Sequence, residues 1–245
     1  MHNDTNVLAI VPARGGSKRL KGKNVMLLDG RPLLAYSILA ARHSRFIDEI
    51  AVTSDDMNIL EVAKPYGARL VVRPKDLAGD ETKTIDTVAH ALKVVEIATR
   101  KVYGVVILLQ PNVPLRLPSD IDKALDLKEY NQATTVLTVD TVHPKFGYLN
   151  QEDMFIPNYP EGVRKQDVPV QLRENGVLYI LERADVKVPR LFGTRVLPIP
   201  SRLEQSIGNI DYQEDFDVTE AIYHSEKFPY KTYFNSVDAR GGQIC

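Results

Sequence analysis

The sequence predicts an α/β fold of three layers, a mostly parallel sheet flanked by helices on both faces. Three observations support this. Short apolar, β-rich runs alternate with segments of helical periodicity. The connections between them are short, as in parallel sheets whose strands are linked by helices. The first run ends in a small-residue turn rich in cations, and ligands of such sheets sit at the carboxyl ends of the strands.

Residues 7–11, 50–53, 70–72, 105–109 and 134–139 read as buried strands. A helix over residues 33–41 follows Pro32, whose fixed φ suits a first helical turn. Residues 57–64 form a shorter helix, stopped by Pro65 and Gly67. Ile85, Val88, Ala89, Leu92 and Val95 share one helical face. Ser119 is placed to cap a helix over residues 121–127, with Asp120 and Asp122 in the first turn, where the helix dipole favours anions. The alternation lapses after Val139. Residues 141–174 are polar and Pro-spaced, with isolated His143, Phe146, Tyr148, Phe155 and Tyr159, and are too long for an ordinary connection, so this segment is expected to protrude. Strands over 176–181 and 194–199 and a closing helix over 216–228 complete the pattern. Residues 231–245 show little periodicity and are expected to be mobile. The chain thus divides into a core over 1–140, a protruding arm over 141–175, the remainder of the core over 176–230 and a tail over 231–245.

A chain of 245 residues suits one large α/β domain, or one with an excursion. Its 31 Lys and Arg against 32 Asp and Glu leave a net charge of −1, so no global basic field points to nucleic acid, and the N-terminal cations stand out as a local cluster. Apolar runs such as 105–109 are far too short to cross a membrane, and residues 1–11 lack a charged region followed by an apolar signal core. The expectation is a soluble, cytoplasmic protein. Cys245 is the single cysteine and the last residue, which excludes an intramolecular disulfide and a thiolate metal site and reads as an exposed thiol.

The chemistry is concentrated in Val11-Pro12-Ala13-Arg14-Gly15-Gly16-Ser17-Lys18, followed by Arg19, Lys21, Lys23 and Asn24. Gly15, Gly16 and Ser17 let backbone N–H groups approach an anion without Cβ obstruction, while Arg14, Lys18 and Lys23 bring positive charge close to it. Lys18, Arg19 and Lys21 read equally well as solvated members of a charge run. The order of residues is neither that of a Walker loop nor that of a dinucleotide-binding turn, which removes P-loop hydrolysis and hydride transfer.

Residues 11–24, with Pro-Ala-Arg-x-x-Ser-Lys, then Leu, then Lys-Asn, resemble the signature of the CMP-N-acylneuraminate cytidylyltransferases, the CMP-sialic acid synthetases. The resemblance continues through Ser54-Asp55, Val72-Arg73-Pro74, Leu109-Gln110-Pro111, Pro114-Leu115-Arg116, Arg173-Glu174-Asn175-Gly176 and Ile210-Asp211, and so covers most of the chain. It implies a nucleotidyltransferase-like, Rossmann-like fold and a Mg²⁺-dependent condensation of CTP with a nine-carbon 2-keto sugar acid, releasing pyrophosphate. On this resemblance Arg14, Lys23 and Asp211 are the catalytic residues. Ala13, Arg14, Gly15, Ser17, Lys23, Asn24, Arg73 and Thr84 surround the nucleotide, and Gln110, Lys145, Lys165 and Arg173 handle the sugar acid. Asp211 and Asn209 fall at the metal-binding positions. The resemblance also implies that residues 141–174 form a dimerisation arm reaching the neighbouring subunit's active site, so that a homodimer is expected and Lys165 would serve its partner's pocket.

Several positions depart from the family pattern. Asp-Ile-Asp is Asn209-Ile210-Asp211, which removes one ligand charge and predicts weaker metal binding. Thr-Ser after Gln-Pro is Asn112-Val113, and an expected Arg is Lys165, which lacks the planar bidentate grip on a carboxylate. Asp215 and Asp217 are readable either as substitute ligands or as dipole partners at a helix start. Arg116 reads as pinning a loop or touching substrate, and His143 as structural or interfacial rather than as a base. Besides the sialic-acid-type enzyme, two readings stay open: the same fold acting on another keto sugar acid, such as an octulosonate, or on another nucleotide, and a nucleotide-sugar-binding relative with weakened catalysis.

Overall fold

A computed structural model of the protein describes residues 5–239. The expectations for the first four residues and for 240–245, the Cys245 thiol among them, lie outside the described residues. In chain order the elements are β1 (Asn6–Pro12), a small hairpin of β2 (Leu27–Leu28) and β3 (Arg31–Pro32), α1 (Leu33–Arg42), β4 (Glu49–Ser54), α2 (Met57–Ala63), β5 (Arg69–Val72) and α3 (Thr84–Thr99). There follow β6 (Tyr103–Leu108), α4 (Pro118–Tyr130), β7 (Thr135–Val142), the hairpin β8 (Gly147–Leu149) and β9 (Phe155–Pro157), and β10 (Gln171–Glu182). The chain continues through α5 (Arg183–Lys187), β11 (Val196–Pro200), α6 (Leu203–Ile207), α7 (Gln213–His224) and α8 (Tyr230–Ala239).

The central sheet has seven strands in the order β11-β7-β10-β6-β1-β4-β5. All neighbours pair in parallel except β10, which runs antiparallel between β6 and β7. The alternation within β1 shows why the sheet is covered twice. Val7, Ala9 and Val11 pack with Leu34 and Ile38 of α1, Leu60 of α2 and Ile121 of α4, whereas Leu8 and Ile10 pack with Val88 and Leu92 of α3 and Val186 of α5. A parallel strand buried on both faces is apolar throughout, which is how β1 reads.

The strands and helices predicted in the first half are all present, with ends shifted by a few residues. Four expectations change. Ser119 is not the cap of α4; the helix starts at Pro118, and the Asp120 carboxylate accepts the Leu117 N–H at 2.9 Å. Asp122 is buried and accepts hydrogen bonds from Ser44 Oγ and the Arg45 main-chain N–H, which ties α4 to the end of α1. The third change concerns the tail, where residues 230–239 form α8 rather than an aperiodic stretch. Tyr230 and Phe234 of α8 are fully buried, and the Phe234 ring meets Tyr36 of α1 edge-on at 4.8 Å, with Tyr223 of α7 edge-on to Tyr36 at 5.6 Å. The apolar positions of α8 are aromatic and interspersed with Lys, Asn and Ser, so its core role is hidden in composition. Residues 141–174 are shorter as an excursion than expected, because β7 runs to Val142 and β10 starts at Gln171.

If α8 belongs to the cooperative core, Phe234→Ala should lower the unfolding free energy by about 3–5 kcal/mol in urea titrations. A loss below about 1 kcal/mol would place α8 outside that core.

Candidate active site

At the carboxyl edge of the parallel strands lies a cleft of about 330 Å³. Its walls come from Arg14 and Ser17 after β1, Arg73 after β5, Thr84 and Thr87 at the start of α3, Gln110 and Asn112 after β6, and Asp211 before α7. Strands that end together deliver their following loops to one place, so residues far apart in sequence converge there.

Lys23 holds the two ends of the chain together at this cleft. Gly22, in the left-handed region at φ 66°, turns the loop into a single 3-10 turn over Lys23–Val25. That turn aims Lys23 Nζ at the Ile210 carbonyl (2.8 Å) and at Asp211 Oδ1 (2.9 Å). Arg19 reaches the other oxygen of Asp211 at 3.1 Å. Asn24 is buried, and its Nδ2 donates to the Arg14 carbonyl at 2.9 Å, bracing the loop from within.

On the opposite wall Arg14 donates to Asp80 Oδ1 at 2.7 Å, and Lys18 pairs with the other Asp80 oxygen. Hydrogen bonds from Lys18 and Arg14 hold the Asp80 carboxyl below its ordinary range. Arg73 is buried; its Nη2 donates to the Thr53 carbonyl at 2.7 Å, while its Nε has no partner among the described residues. Burial lowers the Arg73 pKa, against the attraction of Asp55. The loop amides are arranged differently from a bare anion cradle: the Gly15 N–H donates to Asp55 Oδ1 at 3.1 Å and the Ser17 N–H to the Gly15 carbonyl. Ala13 is buried, its N–H donating to the Thr53 carbonyl at 3.0 Å. The charge available to an anion here is therefore carried by side chains.

The β6 side of the cleft is built from amides. Arg116 is fully buried behind it and donates to the Val177 carbonyl, to Ser37 Oγ at 3.1 Å and to the Gln110 carbonyl at 3.4 Å. Burial pushes its pKa down to about 9, with the field of Asp120 opposing, so it remains a cation at neutral pH. Of its two sequence readings, the structure favours the loop pin. Asn112 Nδ2 donates to Asn209 Oδ1 at 2.6 Å, and Asn209 Nδ2 donates to the Asn175 carbonyl at 3.2 Å. Asn175 in turn donates to Asp140 Oδ1 at 2.8 Å, and Arg173 Nη2 donates to Asp140 Oδ2 at 2.7 Å. Desolvation alone would raise the Asp140 carboxyl, but hydrogen bonds from Asn175, Ser206 and Arg173 outweigh it and hold it low.

Arg14, Ser17, Lys23, Asn24, Arg73, Thr84, Gln110 and Asp211 are thus brought together, whereas Lys145, Lys165 and Arg173 do not line this cleft. Lys145 donates to the Val163 carbonyl and lies over the Tyr159 ring at 5.2 Å, and Lys165 starts a 3-10 turn in the arm. His143 Nδ1 meets the Val168 carbonyl at 2.9 Å, in line with a structural role. Among the described residues no three His, Cys, Asp or Glu side chains cluster as a metal centre. Mg²⁺ takes most of its ligands from phosphate and water, so one carboxylate would suffice; of the two lining the cleft, Asp80 is paired with Arg14 and Lys18, and Asp211, itself held by Lys23 and Arg19, is the residue that would hold the ion. Asn209 does not line the cleft, and its oxygen is engaged by Asn112. Asp215 is no substitute: its Oδ2 accepts the Asp211 and Tyr212 N–H groups and caps α7. Asp217 accepts from Gln213 Nε2 at 2.8 Å on the exposed side of the helix.

The sequence profile of the cytidylyltransferase family matches residues 8–238. The chain belongs to that family. It is 34% identical over 226 residues to the CMP-N,N'-diacetyllegionaminic acid synthase of Legionella pneumophila, a match covering 88% of this chain and 95% of the relative. It is 31% identical over 229 residues to a pseudaminic acid cytidylyltransferase of Campylobacter jejuni, with the same coverage of 88% and 95%. A solved structure of CMP:2-keto-3-deoxy-manno-octonic acid synthetase complexed with CTP superposes with a TM-score of 0.64 at 15% identity, covering 89% of this chain and 98% of that one. That likeness confirms the nucleotidyltransferase-like sheet.

Asp80 and Thr87 line this cytidylyltransferase's cleft without having been singled out in the sequence. Asp80 is an isolated acid in the polar stretch between β5 and α3 and carries no local signal, whereas Thr87 lies one helical turn beyond Thr84 and was findable from it. Because Asp80 neutralises the cations a polyphosphate needs, Asp80→Asn should tighten binding of inorganic triphosphate by about two- to fivefold in calorimetric titration, the scale of an exposed ion pair. Weaker binding would show instead that Asp80 orients Arg14 and Lys18 for the anion.

Proposed function

We propose that this cytidylyltransferase transfers CMP from CTP to a sialic-acid-like nine-carbon 2-keto sugar acid. The observation that carries the reading is the convergence of Arg14, Lys23 and Arg73 on a cleft where Asp211 lies beside Lys23. The names of its relatives, which act on legionaminic and pseudaminic acids, and the resemblance of residues 11–24 to the N-acylneuraminate enzymes support the acceptor class. Arg173, Lys145 and Lys165 are assigned to the acid sugar on that resemblance.

In the reaction the anomeric hydroxyl of the sugar acid attacks the α-phosphorus of CTP; the new P–O bond forms as the bond to the bridging oxygen breaks, the hydroxyl proton passes to solvent, and pyrophosphate leaves. Two anions must meet, so neutralisation and alignment are the main tasks of the protein. Arg14 and Lys23 stabilise the charge that grows on pyrophosphate, and Arg73 supplies a buried donor to the nucleotide side. Bound Mg²⁺, held by Asp211, would neutralise triphosphate oxygens further, and Asn209 contributes no charge to it. Lys23 also keeps Asp211 in place, because its ammonium is shared between that carboxylate and the Ile210 carbonyl.

The β8–β9 hairpin leaves Phe146, Tyr148, Leu149 and Phe155 exposed, which supports a homodimer formed through the arm. No helix among the described residues is long and apolar enough to cross a membrane, and a cytoplasmic setting matches the supply of CTP.

Pyrophosphate release should be measured across CTP, UTP, ATP and GTP with sialic, legionaminic, pseudaminic and octulosonic acids. CTP with a nine-carbon acid should be preferred, and Lys23→Met and Asp211→Ala should each lower kcat/KM at least about 100-fold while the fold is retained by circular dichroism. Preference for the octulosonate or for another nucleotide would reassign the substrate. CTP binding without turnover at saturating Mg²⁺ would indicate a catalytically weakened relative.

A further inference from the structure

Asn112 and Asn209 are both departures from the family pattern, they lie 97 positions apart, and they hydrogen-bond to each other at 2.6 Å. The two changes therefore form one unit rather than two separate losses. The polarity of that unit is fixed from its buried end. A main-chain carbonyl can only accept, so the Asn175 carbonyl requires Asn209 to present Nδ2. Asn209 Oδ1 must then face Asn112, and Asn112 must answer with its own Nδ2. The Ile210 N–H donates to the Asn112 carbonyl at 2.8 Å and locks the spacing of the two segments. What remains at the cleft end of the chain is Asn112 Oδ1, an acceptor of fixed orientation on a residue that lines the cleft beside Gln110.

Asn209 itself is behind this wall and does not line the cleft. Gly176, in the left-handed region at φ +74°, makes the turn beside the relay that a residue with a Cβ would adopt only with strain. An aspartate at 209 would have no proton for the Asn175 carbonyl and would set one carboxylate oxygen against it.

We propose that Asn112 is a specificity-determining residue that accepts a hydrogen bond from a hydroxyl or acylamino N–H of the acceptor sugar, and that Asn209 is its positioning residue. This rests on the cytidylyltransferase reading and on the assignment of neighbouring Gln110 to the sugar acid, and it assigns Asn209 a purpose other than metal binding. The acceptor atom it offers is a neutral amide oxygen, which suits a hydroxyl or amide N–H donor.

Asn112→Ala should raise the acceptor KM about tenfold, the loss of one well-placed hydrogen bond, with the CTP KM unchanged. It should also erase the preference of the wild-type protein for one acceptor over its deoxy or deamino analogue. Asn209→Ala should move the acceptor KM in the same direction, and the double variant should be no worse than Asn112→Ala alone, since Asn209 acts through Asn112. Asn209→Asp should raise the acceptor KM without lowering the Mg²⁺ concentration for half-maximal rate. An unchanged acceptor KM in Asn112→Ala, multiplicative effects in the double variant, or a lower Mg²⁺ requirement in Asn209→Asp would each overturn the proposal. A readout independent of turnover is hydrogen exchange of the ¹⁵N-labelled Asn112 side-chain amide, protected in the wild type and fast in Asn209→Ala. Equal exchange in both would overturn the relay, whereas a wild-type protein inactive on every acceptor would overturn the functional reading instead.

Discussion

The cleft depends on one ammonium group. Lys23 sits on a turn close to the first strand, and its Nζ donates at once to the Ile210 carbonyl and the Asp211 carboxylate, 187 and 188 positions away. Its side chain is only 15% exposed, so the contact is shielded far more than an ordinary surface ion pair. The contact fixes where the segment before α7 crosses the mouth of the sheet, and with it the Asp211 carboxylate, which faces the cleft across from Asp80. The aromatic cluster of Tyr36, Tyr223 and Phe234 anchors the helices beyond that segment, so the position of Asp211 is set by packing on one side and by charge on the other.

The architecture follows from parallel strands. β1, β4, β5 and β6 end at one edge, and the loops after β1, β5 and β6 line the cleft there. Arg73 comes from the end of β5, Gln110 and Asn112 from the end of β6, and the start of α3 brings Thr84 and Thr87. The antiparallel β10 then delivers Asn175 and Arg173 beside the carboxyl end of β7, where Asp140 collects both. Two ionic residues, the fully buried Arg116 and the half-buried Asp140, stiffen this side. Arg116 clamps main-chain carbonyls of β10 and of the loop after β6, and Asp140 accepts from Arg173, Asn175 and Ser206. Removing Arg116 would strand the buried Val177 carbonyl and Ser37 hydroxyl.

The strands of the first half were legible because a strand buried on both faces reads as a continuous apolar run, and the phosphate-side cations because a basic turn after β1 has a local signature. Arg73, Thr84, Gln110 and Asp211 became candidates through the resemblance, and the fold gathers them with Lys23 of the basic turn. Asp80 was missed because its pairing with Arg14 and Lys18 is a contact across the chain, invisible to spacing. The start of α4 was misread for a related reason: Ser119 has the right chemistry for a cap, but Pro118 already occupies the first turn and Asp120 reaches back to the Leu117 N–H. Helix α8 was read as a tail because its buried positions are Tyr and Phe among polar neighbours, a pattern that only the facing Tyr36 resolves. Asn112 and Asn209 looked like two independent losses until their contact was seen.

The most direct measurement is a crystal structure of the protein grown with CTP and Mg²⁺. The triphosphate should lie between Arg14 and Lys23, with Asp80 released from Arg14 and the cytidine toward Arg73 and Thr84. A nucleotide bound elsewhere, for instance in the cation-lined groove of Lys93, Arg100 and Lys187 on the outer side of α3, with the Arg14–Asp80 pair intact, would contradict the placement of the active site.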